Sequence, residues 1–193
     1  RDGEWSAAIS AKTKRAVRLK VLALQRPQPP LPDLIYCFAP LKQGRLDYLV
    51  QKAVEMGAGI LQPVVTQHTQ VAKPSIDRLR ANVVEAAEQC GRTRLPQIDP
   101  PAPLAQWLGA RDPDRRLYFA DERGGQPPCD AFKPGPATIL TGPEGGFTDE
   151  ERASVRAAPK AVAISLGPRI LRAETAALAA LAAYMALAGD WRP

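Results

Sequence analysis

Histidine is almost missing from this chain. His68 is the only one in 193 residues, so a histidine-rich metal site or a serine-histidine-aspartate triad with an imidazole to spare is hard to build. Cysteine is scarce and odd in number. Cys37, Cys90 and Cys129 lie far apart with no Cys-x-x-Cys and no neighbouring histidine, which points to buried free thiols in a reducing compartment rather than to a disulfide framework or a metal site. Neither Gly-x-x-x-x-Gly-Lys-Ser/Thr nor Gly-x-Gly-x-x-Gly occurs, so a P-loop and a Rossmann dinucleotide grip are both unsupported. The one long apolar stretch, Ala176 to Ala188, is alanine-rich and shorter than the roughly 20 residues a bilayer span needs. The polar opening Arg1-Asp2-Gly3-Glu4-Trp5 is no charged-then-apolar leader and reads like the middle of something. There is no internal repeat. The expectation from these absences is a chain without metal and without a membrane segment.

What is present suits a globular protein of one large domain, or one domain plus a fragment. The apolar share is 45%, enough for a real core. Lysine and arginine number 26 against 20 acids, a formal charge of +6, which suits an anionic partner such as RNA.

The pattern changes once along the chain. Trp5, Ala7 and Ile9, then Val17, Leu19 and Val21, alternate on either side of the basic Lys12-Thr13-Lys14-Arg15, predicting two antiparallel strands joined by a basic turn. Arg26-Pro27-Gln28-Pro29-Pro30-Leu31-Pro32 can neither continue a sheet nor start a helix and reads as a linker, with a boundary near residue 28. Beyond it, strands and helices alternate. Strands are expected at Leu34 to Phe38, Ile60 to Val65, Arg116 to Ala120, Ala137 to Leu140 and Ala161 to Leu166. Helices are expected from about Leu46 to a Gly57 C-cap, after Ser75, around Leu104 to Leu108, after Thr148, and over roughly 173 to 188. Such alternation predicts an α/β fold, a mostly parallel sheet with helices on both faces. Arg123 to Pro128 reads as a loop by its breakers.

Two segments carry most of the functional information. Ile139-Leu140-Thr141-Gly142-Pro143-Glu144-Gly145-Gly146-Phe147 and Ser165-Leu166-Gly167-Pro168-Arg169-Ile170-Leu171-Arg172-Ala173-Glu174-Thr175-Ala176 each take an apolar strand through a glycine-bearing loop into a helix. Side-chain-poor loops let backbone N–H and C=O groups approach a small molecule, as an adenine edge, a ribose or a carboxylate requires. In the second loop Leu166, Ile170 and Leu171 are suited to an apolar slot beside Gly167, with Arg172 and Glu174 at the mouth of an otherwise alanine-leucine helix. A bland reading stands beside this one: a tight strand-to-helix turn, arginines that pair with acids, and a glutamate favoured near a helix N-terminus by about 0.3–1 kcal/mol.

Taken together, the two loops resemble the C-terminal signature of the bacterial 16S ribosomal RNA uridine-N3 methyltransferases of the SPOUT superfamily. The resemblance extends upstream. Leu41-Lys42-Gln43-Gly44-Arg45 through Glu55-Met56-Gly57 is similar to that family's first knot-domain helix, which commonly ends Glu-Leu-Gly, and Glu85-Ala86-Ala87-Glu88-Gln89-Cys90-Gly91-Arg92 is similar to its Glu-Ala-x-Glu-Gln-x-x-Arg segment. It covers most of residues 34 to 188. His68 falls where many members carry arginine and reads as a lone surface histidine.

The resemblance implies a C-terminal deep trefoil knot holding S-adenosylmethionine, in a SPOUT methyltransferase domain over 28–193. Residues 1–27 would then be the end of a PUA-like β-barrel, an RNA-binding domain whose usual His-His-Leu and Val-Leu-Arg opening is not in this sequence. It implies cofactor contacts from Leu140, Thr141, Gly142, Glu144, Gly145, Gly146, Ser165, Leu166, Gly167, Ile170, Leu171 and Thr175, and RNA contacts from Lys12, Lys14, Arg15 and Arg172. It implies catalysis by Arg172, stabilising the developing uridine anion, with Glu144 or Glu174 taking the proton. Ribosomal RNA of the small subunit, a homodimer and a cytoplasmic location follow from the same likeness. The alternatives are another SPOUT RNA methyltransferase, acting on a ribose 2′-hydroxyl or a different base, and a non-catalytic RNA-binding or ribosome-assembly module.

Overall fold

The computed structural model describes residues 3–192. It opens with a two-stranded antiparallel ribbon, β1 (Gly3–Lys12) and β2 (Val17–Pro27). Thr13 closes the basic turn: its N–H donates to the Ala16 carbonyl at 2.9 Å and its Oγ1 accepts from the Ala16 N–H at 3.0 Å. The expected linker starts slightly later than the prolines suggest. Arg26 and Pro27 still pair with Glu4 and Gly3, because a proline at the last ladder position forfeits no needed donor.

The remaining strands and helices alternate: β3 (Leu34–Phe38), α1 (Gln43–Glu55), β4 (Ile60–Val65), α2 (Ile76–Gln89), β5 (Gln97–Ile98), β6 (Ala102–Pro103), α3 (Leu104–Ala110), β7 (Arg116–Ala120), α4 (Pro128–Ala131), β8 (Ala137–Thr141), α5 (Asp149–Ala157), β9 (Ala161–Ile164) and α6 (Ala173–Leu187). Local chemistry sets several of these ends. Gly57, at φ +88°, takes the chain out of α1 through the left-handed region. The Ser75 hydroxyl accepts the Arg78 N–H at the start of α2. Thr148 and Glu151 form a reciprocal capping box at the start of α5, with N–H···O distances of 3.0 and 3.1 Å.

The sheet order is β5-β4-β3-β8-β7-β9, with β6 also on β4, and every pair in it is parallel. Alternation along the central strands divides the core into two layers. Tyr36, Phe38, Tyr118 and Ile139 face a cluster built with α1, α2 and α6, whereas Cys37, Leu117, Phe119 and Leu140 face one containing Trp107 of α3 and Val155 of α5. Helices therefore cover both faces, as a parallel sheet requires.

Four expectations need correction. Only Cys37 is a buried thiol, and burial on the central strand pushes its pKa well up; Cys90, the C-cap of α2, and Cys129, within the short α4, are open to solvent. β9 stops at Ile164 rather than Leu166, because Ser165 donates instead to the Gln126 carbonyl at 3.0 Å. The loop from Arg123 contains a bridge from Gln126 to Ile164 and ends in α4. The two-residue strands β5 and β6 were too short to leave a periodic signal.

Candidate functional site

The carboxyl ends of β7, β8 and β9 meet beside the first turn of α1, and a cavity of about 460 Å³ opens there. A crevice outside the carboxyl ends of parallel strands is where open α/β sheets bind ligands. Its volume is in the range of small-molecule sites, roughly 300–1,000 Å³.

The loop after β8 forms one wall. Thr141 is buried, its Oγ1 2.7 Å from the Tyr36 hydroxyl, and burial holds the Tyr36 phenol far above its usual pKa despite that bond. A Cβ on Gly142 would lie 2.6 Å from the Phe147 ring, itself packed edge-on against Phe119, so only glycine lets the loop close over this core. Gly146, at φ +68°, donates its N–H to the Pro143 carbonyl at 3.0 Å and turns the chain toward α5.

The loop after β9 forms the opposite wall. Gly167 has φ +106°, and among the described residues no heavy atom beyond its own and those of its two chain neighbours lies within 4 Å of where its Cβ would stand, so the space beside it is open. Leu166 and Leu171 are half-buried along this wall, while Ile170 is 86% exposed at its rim. Arg169 and Arg172 also line the cavity, and neither makes an ion pair among the described residues.

Sequence reasoning missed the third wall. Asp121 and Glu122 follow β7 and line the cavity. The Asp121 side chain is fully buried and receives Arg152 and Arg156 of α5, the latter at 2.6 Å; Arg152 also reaches Glu122 at 2.6 Å. This network fixes α5 to the end of β7. A single Asp-Glu pair at a strand end, with its arginines 30 residues later, leaves no local signature.

Two further residues arrive from distant segments. Arg45, in the first turn of α1, lines the cavity with its Nη1 3.4 Å from Glu144 Oε1 and its Nε 3.8 Å from Glu174 Oε1. His68 is exposed, yet it is no idle surface residue. Its Nδ1 lies 3.0 Å from the Gly145 carbonyl and 3.1 Å from that of Gly146. Both partners are acceptors, so Nδ1 carries the proton.

Of the residues expected to hold a cofactor, Thr141, Gly142, Glu144, Gly146, Leu166, Gly167, Ile170 and Leu171 line the cavity together. Leu140 lies beneath it in the core. Gly145 packs on His68, Ser165 faces a second, apolar hollow, and Thr175 is exposed on α6. Arg172 and Glu144 line the cavity; Glu174 stands behind Arg45, its side chain 15% exposed and its Oε2 buried without a hydrogen-bond partner among the described residues. Lys12, Lys14 and Arg15 are exposed at the tip of the ribbon, away from the cavity wall. Among the described residues no group of three or more His, Cys, Asp or Glu could hold a metal, and no helix is long and apolar enough to cross a membrane.

The RNA methyltransferase domain family matches residues 27–185. The ribosomal RNA small subunit methyltransferase E of Rickettsia conorii is 32% identical over 188 residues, spanning 94% of this chain and 75% of its own. The Synechocystis protein of the same name is also 32% identical, over 96% of this chain and 63% of its own length. Among solved structures, the ribosomal RNA small subunit methyltransferase E of Neisseria gonorrhoeae bound to S-adenosyl methionine aligns with a TM-score of 0.81 at 29% identity, covering 97% of this chain and 80% of that one.

Proposed function

The chain belongs to the ribosomal RNA small subunit methyltransferase E family, and from that premise we propose that it methylates N3 of a uridine in 16S ribosomal RNA, with S-adenosylmethionine as methyl donor. The observation that carries this reading is the cavity itself. Two glycine-bearing loops wall it, the space beside Gly167 is open, and Arg172, which makes no ion pair among the described residues, faces the same volume as Glu144.

These features fit the cofactor. The walls around Gly142, Gly146 and Gly167 offer backbone groups for polar edges, and Leu166 and Leu171 offer apolar contact. When bound, S-adenosylmethionine supplies an already activated methyl group on a sulfonium. The protein must orient the uracil and manage one proton. Arg172 stabilises the negative charge that develops on the uracil ring, and Glu144 or Glu174 accepts the N3 proton. The base has to be splayed out of any stack to enter.

Several finer features belong to the same proposal. The C-terminal segment forms a deep trefoil knot of the SPOUT type, a reading that rests on the resemblance of its two glycine-bearing loops to that superfamily. Residues 28–193 are the methyltransferase domain, and 1–27 end a PUA-like barrel whose basic turn, Lys12, Lys14 and Arg15, contacts RNA. The protein works as a homodimer in the cytoplasm.

Calorimetric titration with S-adenosylmethionine and S-adenosylhomocysteine tests the site, with micromolar dissociation constants, about −8 kcal/mol, expected for both. Methylation of small ribosomal subunits, read by mass spectrometry of the digested nucleosides, tests the reaction. 3-Methyluridine is expected. A 2′-O-methyl product would move the chain to another RNA methyltransferase activity, and cofactor binding that fails outright would favour a non-catalytic RNA-binding module.

A further inference from the structure

Arg45 comes from the first turn of α1, nearly a hundred residues before the loops that wall the cavity, yet it bridges them. Its Nη1 approaches Glu144 in the loop after β8, and its Nε approaches Glu174 in the first turn of α6, at 3.4 and 3.8 Å. The two glutamates are not equivalent. Glu144 lines the cavity; Glu174 does not, and its Oε2 is buried with no hydrogen-bond partner among the described residues. A buried carboxylate oxygen without a donor costs free energy. Glu174 tolerates this at the N-terminus of a 15-residue helix, where the unpaired N–H groups favour negative charge, and with a guanidinium beside it.

The geometry points to a division of labour, resting on the reading of this cavity as a methyl-transfer site. Glu144 takes the proton from the uracil. Arg45 is a positioning residue that aims Glu144 into the cavity, and Glu174 is the fixed anion that aims Arg45. A guanidinium suits the middle place, because its rigid fork presents several N–H donors in fixed directions and can hold two carboxylates at once. A side chain 44% exposed gains little stability from such weak contacts, so the arrangement is better explained by orientation than by folding energy.

A double-mutant cycle tests this, with Arg45→Met, Glu144→Gln and both together compared for kcat and KM on small ribosomal subunits, and for the dissociation constant of S-adenosylmethionine by calorimetry. Arg45→Met should lower kcat about 10- to 100-fold, leave KM and cofactor affinity within about threefold, and leave the thermal midpoint unchanged. The double variant should be no slower than Glu144→Gln alone, because Arg45 then has nothing left to position. Multiplicative losses would overturn the inference, as would an Arg45→Met variant that binds the cofactor tenfold more weakly, which would put Arg45 on the cofactor. No turnover by the wild-type protein would remove the methyl-transfer reading and this inference together, whereas wild-type turnover with multiplicative losses would remove the inference alone.

Discussion

At the scale of single residues, Gly167 and Arg172 make separable demands on the second loop. Gly167 sits at φ +106°, where a β-branched residue is strained, and the space its side chain would enter is open. Gly167→Val is therefore expected to abolish calorimetric binding of S-adenosylmethionine while the circular dichroism spectrum stays that of the folded protein. Normal binding by the variant would take this loop out of the site. Arg172, exposed and without an acidic partner among the described residues, is available to a developing negative charge. Arg172→Ala should keep cofactor affinity within a few-fold and lower kcat by roughly 100-fold, the scale of losing one charge-stabilising donor; retained turnover would make it merely structural. Both residues were legible in the sequence because each stands inside a local strand-loop-helix pattern. Arg45 and Glu122, which line the cavity, were not legible as candidate site residues, and neither was the contact of His68 with the loop after β8. Their partners are set by how the parallel strands pair, and Arg45 and His68 precede Glu144 and the Gly145–Gly146 carbonyls by some eighty to a hundred residues. For His68 the sequence offered its being the sole histidine and its standing where many members of the resembled family carry arginine, and neither says anything of the Gly145 and Gly146 carbonyls it holds.

At the scale of elements, the strands and helices with clear periodicity and caps were readable, and the pieces shorter than one period were not. β3, β4 and β7 fall where their apolar runs predict, as do the Ser75 and Thr148 caps; β5, β6 and α4 carry too few residues for any pattern. What fastens one element to another is ionic in two places. On α1, Asp47 accepts from Arg78 of α2 at 2.9 and 2.5 Å and from Asn82 at 2.7 Å. The Arg78 hydrogen bond is the main reason its carboxyl is held below the usual 3.8. A depressed folded-state value means the stabilisation is complete well above that figure and is lost as pH falls through the folded value. Asp47→Asn should accordingly cost on the order of 1 kcal/mol near neutrality for this partly exposed pair, with wild-type and variant denaturation midpoints converging below about pH 4. Equal sensitivity at both pH values would assign the effect to packing. At the other end of the sheet Asp121 is fully buried under Arg152, itself 7% exposed. Asp121→Asn strands a buried guanidinium with only Glu122 to answer it, and should cost about 3–5 kcal/mol by urea denaturation, far more than Asp47→Asn.

At the scale of the whole molecule, α6 decides how the site is supported. Its inner face, Ala177, Ala180, Leu181, Tyr184 and Met185, is buried against the sheet and α1, and the Tyr184 hydroxyl donates to the Gly135 carbonyl at 2.9 Å, with burial pushing its pKa up to about 12. The outer face is only partly covered. Leu178, Ala179, Ala182 and Ala183 are half-buried, with Ala183 still touching the core, and Ala179 and Ala183 line the second hollow together with Pro127, Pro128 and Leu166. Gly167 borders both this hollow and the candidate cofactor cavity, so whatever fills the hollow also braces the second loop. A twofold copy of the same helix is the proposed occupant, since closed twofold pairing is the commonest symmetry and small residues allow close helix approach. Ala179→Arg puts a charge into that contact without touching the inner face. Sedimentation velocity should show the wild-type protein as a dimer and the variant as a monomer, with S-adenosylmethionine binding weakened at least tenfold because the loop bearing Gly167 loses its support. A variant that remains dimeric with full cofactor affinity would place the subunit contact on another face of the molecule and leave the second loop braced from within a single chain.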